Sequence, residues 1–188
     1  MCYTESYDNV IPISKIETGP DKEENPLAEK TYDRIVNYII ENQDKMYRLA
    51  YYYVSNRENA LDIVQNAIVK ALENSASLKN PDAIRTWIYR IVVHESLTFL
   101  KKQNREIACE PTELQNEVYY ESAYEPGLSL YTEIHKLPPE MQTVILLRYF
   151  EELSLKEVAA VTGVNLNTVK SRLYSALGKL KKLVREVS

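Results

Sequence analysis

The 188-residue chain is 45% hydrophobic and 27% charged, enough apolar material to pack one large domain or two small ones. Four glycines and two phenylalanines against fifteen tyrosines argue against a turn-rich β-fold, and no apolar run approaches the roughly 18 residues of a membrane span. The net charge of −4 is uneven: residues 1–30 carry −4, 31–105 carry +3, 106–133 carry −7 and 134–188 carry +4. That alternation suits a two-module nucleic-acid binder with acidic connectors, and ordinary solvated charge is the other reading of it.

Residues 1–28 mix polar, charged, Gly and Pro residues without a sustained period and are predicted to be a flexible arm. Their start lacks the basic and apolar regions of a secretion signal. Cys2 and Cys109 belong to no C-x-x-C pair, so a disulfide framework or a zinc site is not expected. A cytoplasmic location follows as the expectation. From Thr31 the pattern turns helical, with Ile35, Tyr38, Ile39, Met46, Leu49, Ala50 and Tyr53 on one stripe. A second helix is predicted behind a Ser55–Glu58 capping box, burying Ala60, Ile63, Val64, Ala67, Ile68, Ala71 and Leu72. The third starts at Asn80–Pro81, presents Ile84, Trp87, Ile88, Ile91, Val92 and Leu97, and ends in Lys101, Lys102 and Arg105.

Residues 106–126 are acidic, are punctuated by Pro111 and, at the far end, by Pro126 and Gly127, and read as a linker. A short helix, a break at Pro138–Pro139 and another helix follow, with Val144, Ile145 and Leu147 as core, Tyr149 near the same face and Arg148 toward solvent or phosphate. In "SLKEVAAVTGVNLNTVKSRLYSALGKLKKLV", Ser154 and Glu157 form a capping box, and Ala159 and Gly163 stand where a helix-turn-helix needs a small residue and a turn glycine. The last helix is predicted to bury Val169, Leu173, Leu177 and Leu180. That leaves Asn167, Thr168, Lys170, Ser171, Arg172 and Tyr174 on or beside its exposed face. Six bases and no acids lie between Lys170 and Arg185, the composition of a helix that enters a major groove. The competing reading is a helical hairpin with a basic solvated face.

Taken together, "ENALDIVQNAIVKAL", "TWIYRIVVHESLTFLKK" and "LPPEMQTVILLRYFEELSLKEVAAVTGVNLNTVKSRL" resemble the motifs of bacterial RNA polymerase sigma factors of the extracytoplasmic-function (ECF) group, which keep only regions 2 and 4. The resemblance implies an all-α fold: a region 2 domain over residues 29–105, a flexible acidic linker over 106–126, and a region 4 helix-turn-helix domain over 127–188. It implies core RNA polymerase and promoter DNA as partners and no chemistry of the chain's own, so neither a cofactor nor a small-molecule substrate is expected. An anti-sigma protein, often membrane-anchored in this group, is a further implied partner. On this pattern Asp62, Gln65 and Asn66 dock on polymerase. Lys79, Asn80, Arg85, Trp87, Arg90, His94, Lys101 and Lys102 serve the minus-ten element, and Asn167, Thr168, Lys170, Ser171, Arg172 and Tyr174 the minus-thirty-five element. Trp87 has two readings, core and base-stacking platform, and His94 two, base reader and plain surface histidine.

The chain departs from the family pattern at His94 and Thr98, where Asn and Asp are usual, at Asn66 for Glu, at Ile68 for Phe and at Gln142 for Arg. The alternative function is a free-standing helix-turn-helix regulator with an N-terminal dimerisation domain, which would need a self-complementary surface and a palindromic site. A third is an interaction protein that only sequesters a partner. No Gly-rich phosphate loop, metal-spaced cluster or nucleophile constellation supports an enzyme.

Overall fold

The computed structural model describes residues 26–109 and 128–187, so the predicted arm up to residue 25 and the linker from 110 lie outside the described residues. Every regular element among the described residues is helical.

The first domain packs α1 (Pro26–Val54), α2 (Arg57–Glu73) and α3 (Ile84–Cys109). The α1 stripe is buried as its spacing predicts, with Tyr38 half-buried at its edge. The start of α2 differs from the predicted capping box by one residue. Asn56 is the N-cap, and its side chain accepts from the Asn59 amide at 2.9 Å. Ser55 sits instead in the left-handed region at φ 48°, and its hydroxyl lies 3.1 Å from His135 Nε2. Two short 3₁₀ turns, Ser75–Ser77 and Pro81–Ala83, lead into α3. Asn80 caps the second, accepting from the Asp82 amide at 3.0 Å, and Pro81 occupies the first position, where its missing N–H costs nothing.

Helix α3 runs on through Cys109 and is buried on two sides. Ile88 and Val92 continue the predicted stripe. Tyr89 and Val93, one position further round, are buried as well, because the second domain packs there. Lys70 of α2 clamps α3 with both Glu95 carboxylate oxygens at 2.7 Å.

The second domain comprises α4 (Leu128–His135), α5 (Pro139–Ile145), a π turn over Leu146–Phe150, α6 (Leu155–Thr162) and α7 (Leu166–Val187). Pro138 and Pro139 end one helix and open the next, as expected. The π turn adds a residue to the coil, which rotates everything after it. Hence Leu146 is buried beside Val144, Ile145 and Leu147, while Tyr149, predicted near the core face, is 53% exposed. Arg148 turns back to donate to the Leu153 carbonyl at 3.1 Å, bracing the loop rather than facing solvent.

In the helix-turn-helix the predicted devices are present. Ser154 and Glu157 form a reciprocal capping box at 2.8 and 3.2 Å. Gly163 ends α6 at φ 71°, a conformation that disfavours a side chain, and its amide bonds the Ala159 carbonyl at 2.9 Å. On α7 the buried series is Val169, Leu173, Ala176 and Leu180. Leu177 is 37% exposed, since the stripe of a straight helix selects the seventh position after Val169 over the eighth.

The buried apolar residues of both domains form one contiguous cluster. The resemblance implied two domains on a flexible tether; here the two domains pack directly on each other.

Candidate nucleic-acid interface

Asp62, Gln65 and Asn66 all project from the exposed side of α2, opposite Ile63, Val64, Ala67 and Ile68. They form one polar face that no element of the second domain covers, since α2 contacts only α1 and α3 substantially.

The minus-ten candidates divide into two sets. Lys79, Asn80, Lys101 and Lys102 are exposed, although the Asn80 side-chain oxygen is committed to its cap. Trp87 is half-buried and packs against the core, which favours its apolar reading. Arg85, Arg90 and His94 lie on the side of α3 that meets the second domain. The Arg85 guanidinium donates to the Glu151 carbonyl at 2.6 Å. Arg90 donates twice to the Ala160 carbonyl, through Nε at 3.1 Å and through Nη2. That carbonyl belongs to the last turn of α6, where the helix leaves its acceptors unpaired and its dipole negative, so a guanidinium is a well-matched cap. The His94 ring remains exposed and its Nδ1 lies 3.1 Å from Glu95 Oε1. Burial pushes the Glu95 carboxyl up, but hydrogen bonds from Lys70 and His94 and their charges outweigh it, so Glu95 sits below the ordinary carboxylate range.

On the second domain Asn167, Lys170, Ser171 and Tyr174 are exposed, with Tyr174 at 70%. Thr168 is half-buried, and its amide and hydroxyl both donate to Asn165 Oδ1, at 2.8 and 3.0 Å, fixing the start of α7. Arg172 is half-buried and shares with Arg90 and His94 the wall of a cleft of about 270 Å³ between the domains. Of the predicted DNA contacts, Arg90 and His94 of α3 and Arg172 of α7 thus line the same cleft.

Three residue groups escaped the sequence reading. Glu151, buried from solvent, accepts from the Tyr89 hydroxyl at 2.5 Å. Burial pushes its carboxyl up, while Tyr89, Arg48, Arg85 and Lys45 pull it partly back. The Tyr89 phenol is pushed up by burial and by the adjoining carboxylate. At the far end of the interface the Tyr53 hydroxyl donates to Thr143 Oγ1 at 2.8 Å, both side chains being buried. The buried Gln142 amide reaches the Tyr52 carbonyl at 3.3 Å and His135 Nδ1 at 3.2 Å, and His135 Nε2 lies 3.1 Å from Ser55 Oγ. Tyr52, Tyr131 and Phe150 cluster beside them at 5.1–5.3 Å between ring centres, Tyr52 and Tyr131 stacked and Phe150 tilted against both. The one available signal was Gln142 itself, a departure from the family pattern in an otherwise matching motif.

Residues 39–106 match the family described as Sigma-70 region 2, and residues 127–180 the family described as Sigma-70, region 4. The chain is 38% identical over 143 residues to RNA polymerase sigma factor SigV of Bacillus subtilis, covering 76% of this chain and 86% of that one. It is 31% identical over 167 residues to sigma factor YlaC of the same species, covering 83% and 88%. It is 30% identical over 182 residues to the ECF sigma-E factor of Haemophilus influenzae, covering 87% and 88%. Among solved structures, sigma factor RpoE bound to the anti-sigma factor NepR, from Bartonella quintana, aligns with a TM-score of 0.68 at 20% identity, covering 79% of this chain and 95% of that one. CnrH in complex with the cytosolic domain of CnrY aligns at 0.64 and 20%, covering 86% and 97%. With a region 2 match where a free-standing regulator would need a dimerisation domain, and both regions in order, the chain belongs to the RNA polymerase sigma factors of the extracytoplasmic-function group.

Proposed function

We propose that the chain binds core RNA polymerase, directs it to promoters and takes part in initiation, with no catalytic step of its own. The observation that carries this reading is the pair of regions, 2 and 4, matched in order on a fold that leaves an α2 polar face and an α7 basic face exposed. Asp62, Gln65 and Asn66 are the proposed polymerase contacts. Lys79, Asn80, Arg85, Arg90, His94, Lys101 and Lys102 are the proposed minus-ten contacts, with Trp87 shaping the helix from beneath. Asn167, Lys170, Ser171 and Tyr174 reach base edges and phosphates of the minus-thirty-five element, while Thr168 and Arg172 flank them. An anti-sigma protein is the proposed regulator, a reading supported by the solved sigma factor RpoE, described in complex with the anti-sigma factor NepR. No helix among the described residues is long and apolar enough to cross a membrane.

The test is run-off transcription with purified core polymerase on genomic DNA of the source organism, with gel filtration in parallel. Co-elution and discrete transcripts are expected, both lost in an Asp62→Ala, Gln65→Ala, Asn66→Ala triple variant. A dimer that ignores polymerase yet footprints DNA alone would overturn the reading.

A further inference from the structure

We propose that Glu95 fixes the tautomer of His94, so that His94 presents a hydrogen-bond acceptor to the minus-ten element and selects a base whose major-groove edge carries an amine, adenine or cytosine. This rests on the sigma-factor reading above and names what one of its residues selects. His94 lies on an exposed line of α3 with Arg90, Thr98, Lys101 and Arg105, each three or four residues from the next. The bases on that line suit phosphates, which hold a helix in register without reading sequence. His94 is the different member: its ring is exposed, and its Nε2 has no partner among the described residues.

The other ring nitrogen is held. His94 Nδ1 lies 3.1 Å from Glu95 Oε1, and Glu95 is itself nearly buried, with the Lys70 ammonium donating to both carboxylate oxygens at 2.7 Å. Against the pull of burial, the bonds and charges of Lys70 and His94 keep this carboxyl ionised, so it can only accept. The proton in the contact therefore sits on Nδ1, which leaves the lone pair of the neutral ring on Nε2. An acceptor discriminates between bases. In the major groove adenine and cytosine offer an amine donor, whereas the edges of guanine and thymine carry only acceptors. The asparagine of the family pattern has a donor and an acceptor on one amide and can meet either kind of edge; a histidine held by its neighbour has the acceptor alone. Glu95 is thus a positioning residue, which acts by deciding which ring nitrogen carries the proton.

The experiment uses the full chain. Nitrogen NMR spectra of the histidine-labelled protein are recorded at about pH 8, above the range in which an ordinary imidazole titrates. They cover the parent, Glu95→Gln, Lys70→Ala, and His94→Asn to assign the ring. The parent ring should be protonated on Nδ1 and bare on Nε2; the reverse overturns the proposal. Glu95→Gln should lose that order, since an amide donates as well as accepts. Lys70→Ala breaks the same contact between α2 and α3 but keeps the carboxylate, so its ring should stay protonated on Nδ1. Holoenzymes with core polymerase then compete for promoter fragments taken from the mapped transcripts, with each minus-ten base varied in turn. At one position the parent should favour adenine or cytosine over guanine and thymine by about tenfold. His94→Asn and Glu95→Gln should flatten that preference at that position alone, and Lys70→Ala should keep it. Loss of the preference in Lys70→Ala as well would make the pair a structural clamp only and overturn the positioning role. A parent without an amine preference at any minus-ten position overturns the base assignment. Where Glu95→Gln misfolds by circular dichroism, the parent spectrum and His94→Asn still decide. An Nδ1-protonated ring without transcripts from any form would sink the sigma-factor reading, and the base preference with it, while the tautomer stands on the spectra.

Discussion

Helices α3 and α7 look alike as sequence: each has an apolar stripe with bases and small polar residues on the remaining surface. The structure treats them differently. Helix α7 is buried along one side, so Asn167, Lys170, Ser171 and Tyr174 face solvent. Helix α3 is buried along two, so Arg85 and Arg90 of its candidate face are bound to protein carbonyls. A basic helical face is thus a statement about chemistry, while its availability is set by what packs against it.

Two tyrosines test that difference with the largest expected effect. Tyr89→Ala removes a buried ring and leaves the Glu151 carboxyl without its donor, and should cost about 3 kcal/mol or more in urea denaturation. Tyr174→Ala, on the open face of α7, should stay within about 0.5 kcal/mol of the parent. Equal losses in the two variants would erase the contrast.

Next in size is the clamp that holds α3 to its own domain. Lys70→Ala leaves the nearly buried Glu95 without its bidentate partner and should cost about 1–2 kcal/mol, the half-exposed lysine limiting the figure. Because the folded state holds the Glu95 carboxyl below its ordinary value of 4.5, its contribution is complete above that value and is lost as pH falls through the depressed one. Stability curves from pH 7 to 3 should therefore show a shallower acid loss in the variant. On the side of α7 the matching change is Ser154→Ala, which removes the α6 cap and should cost about 1 kcal/mol by thermal melting. The smallest effect on stability belongs to Lys170→Gln, within about 0.5 kcal/mol. Its signature lies in binding: the salt slope of promoter affinity should shrink by about 0.9 for the one lost phosphate contact. An unchanged slope would take Lys170 off the DNA.

Much of the architecture was legible because it is local. The α1 and α2 stripes, the Pro138–Pro139 break, the Ser154–Glu157 capping box and the Gly163 turn each follow from spacing or from one residue's backbone preference. The polar faces of α2 and α7 were legible for the same reason, as the complement of those stripes. Three local readings failed, each for its own reason. Ser55 gave up the α2 cap to Asn56 and lies against His135 eighty residues away. Tyr149 left the core face because the π turn rotated the chain. Leu177 lost its place to Ala176, which the helix period sets nearer the line of Val169, Leu173 and Leu180.

The sequence by itself determined the helices, their buried stripes and the residue types available for reading DNA, since each depends on contacts within a few residues. Only the tertiary structure decided that Tyr89, Glu151 and Gln142 matter and that Arg85 and Arg90 are occupied. Those contacts join positions more than sixty residues apart in the chain, Tyr89 to Glu151 and Arg90 to Ala160 among them. No helical periodicity encodes a partner at that distance, so the second buried side of α3 becomes visible only when the two domains meet.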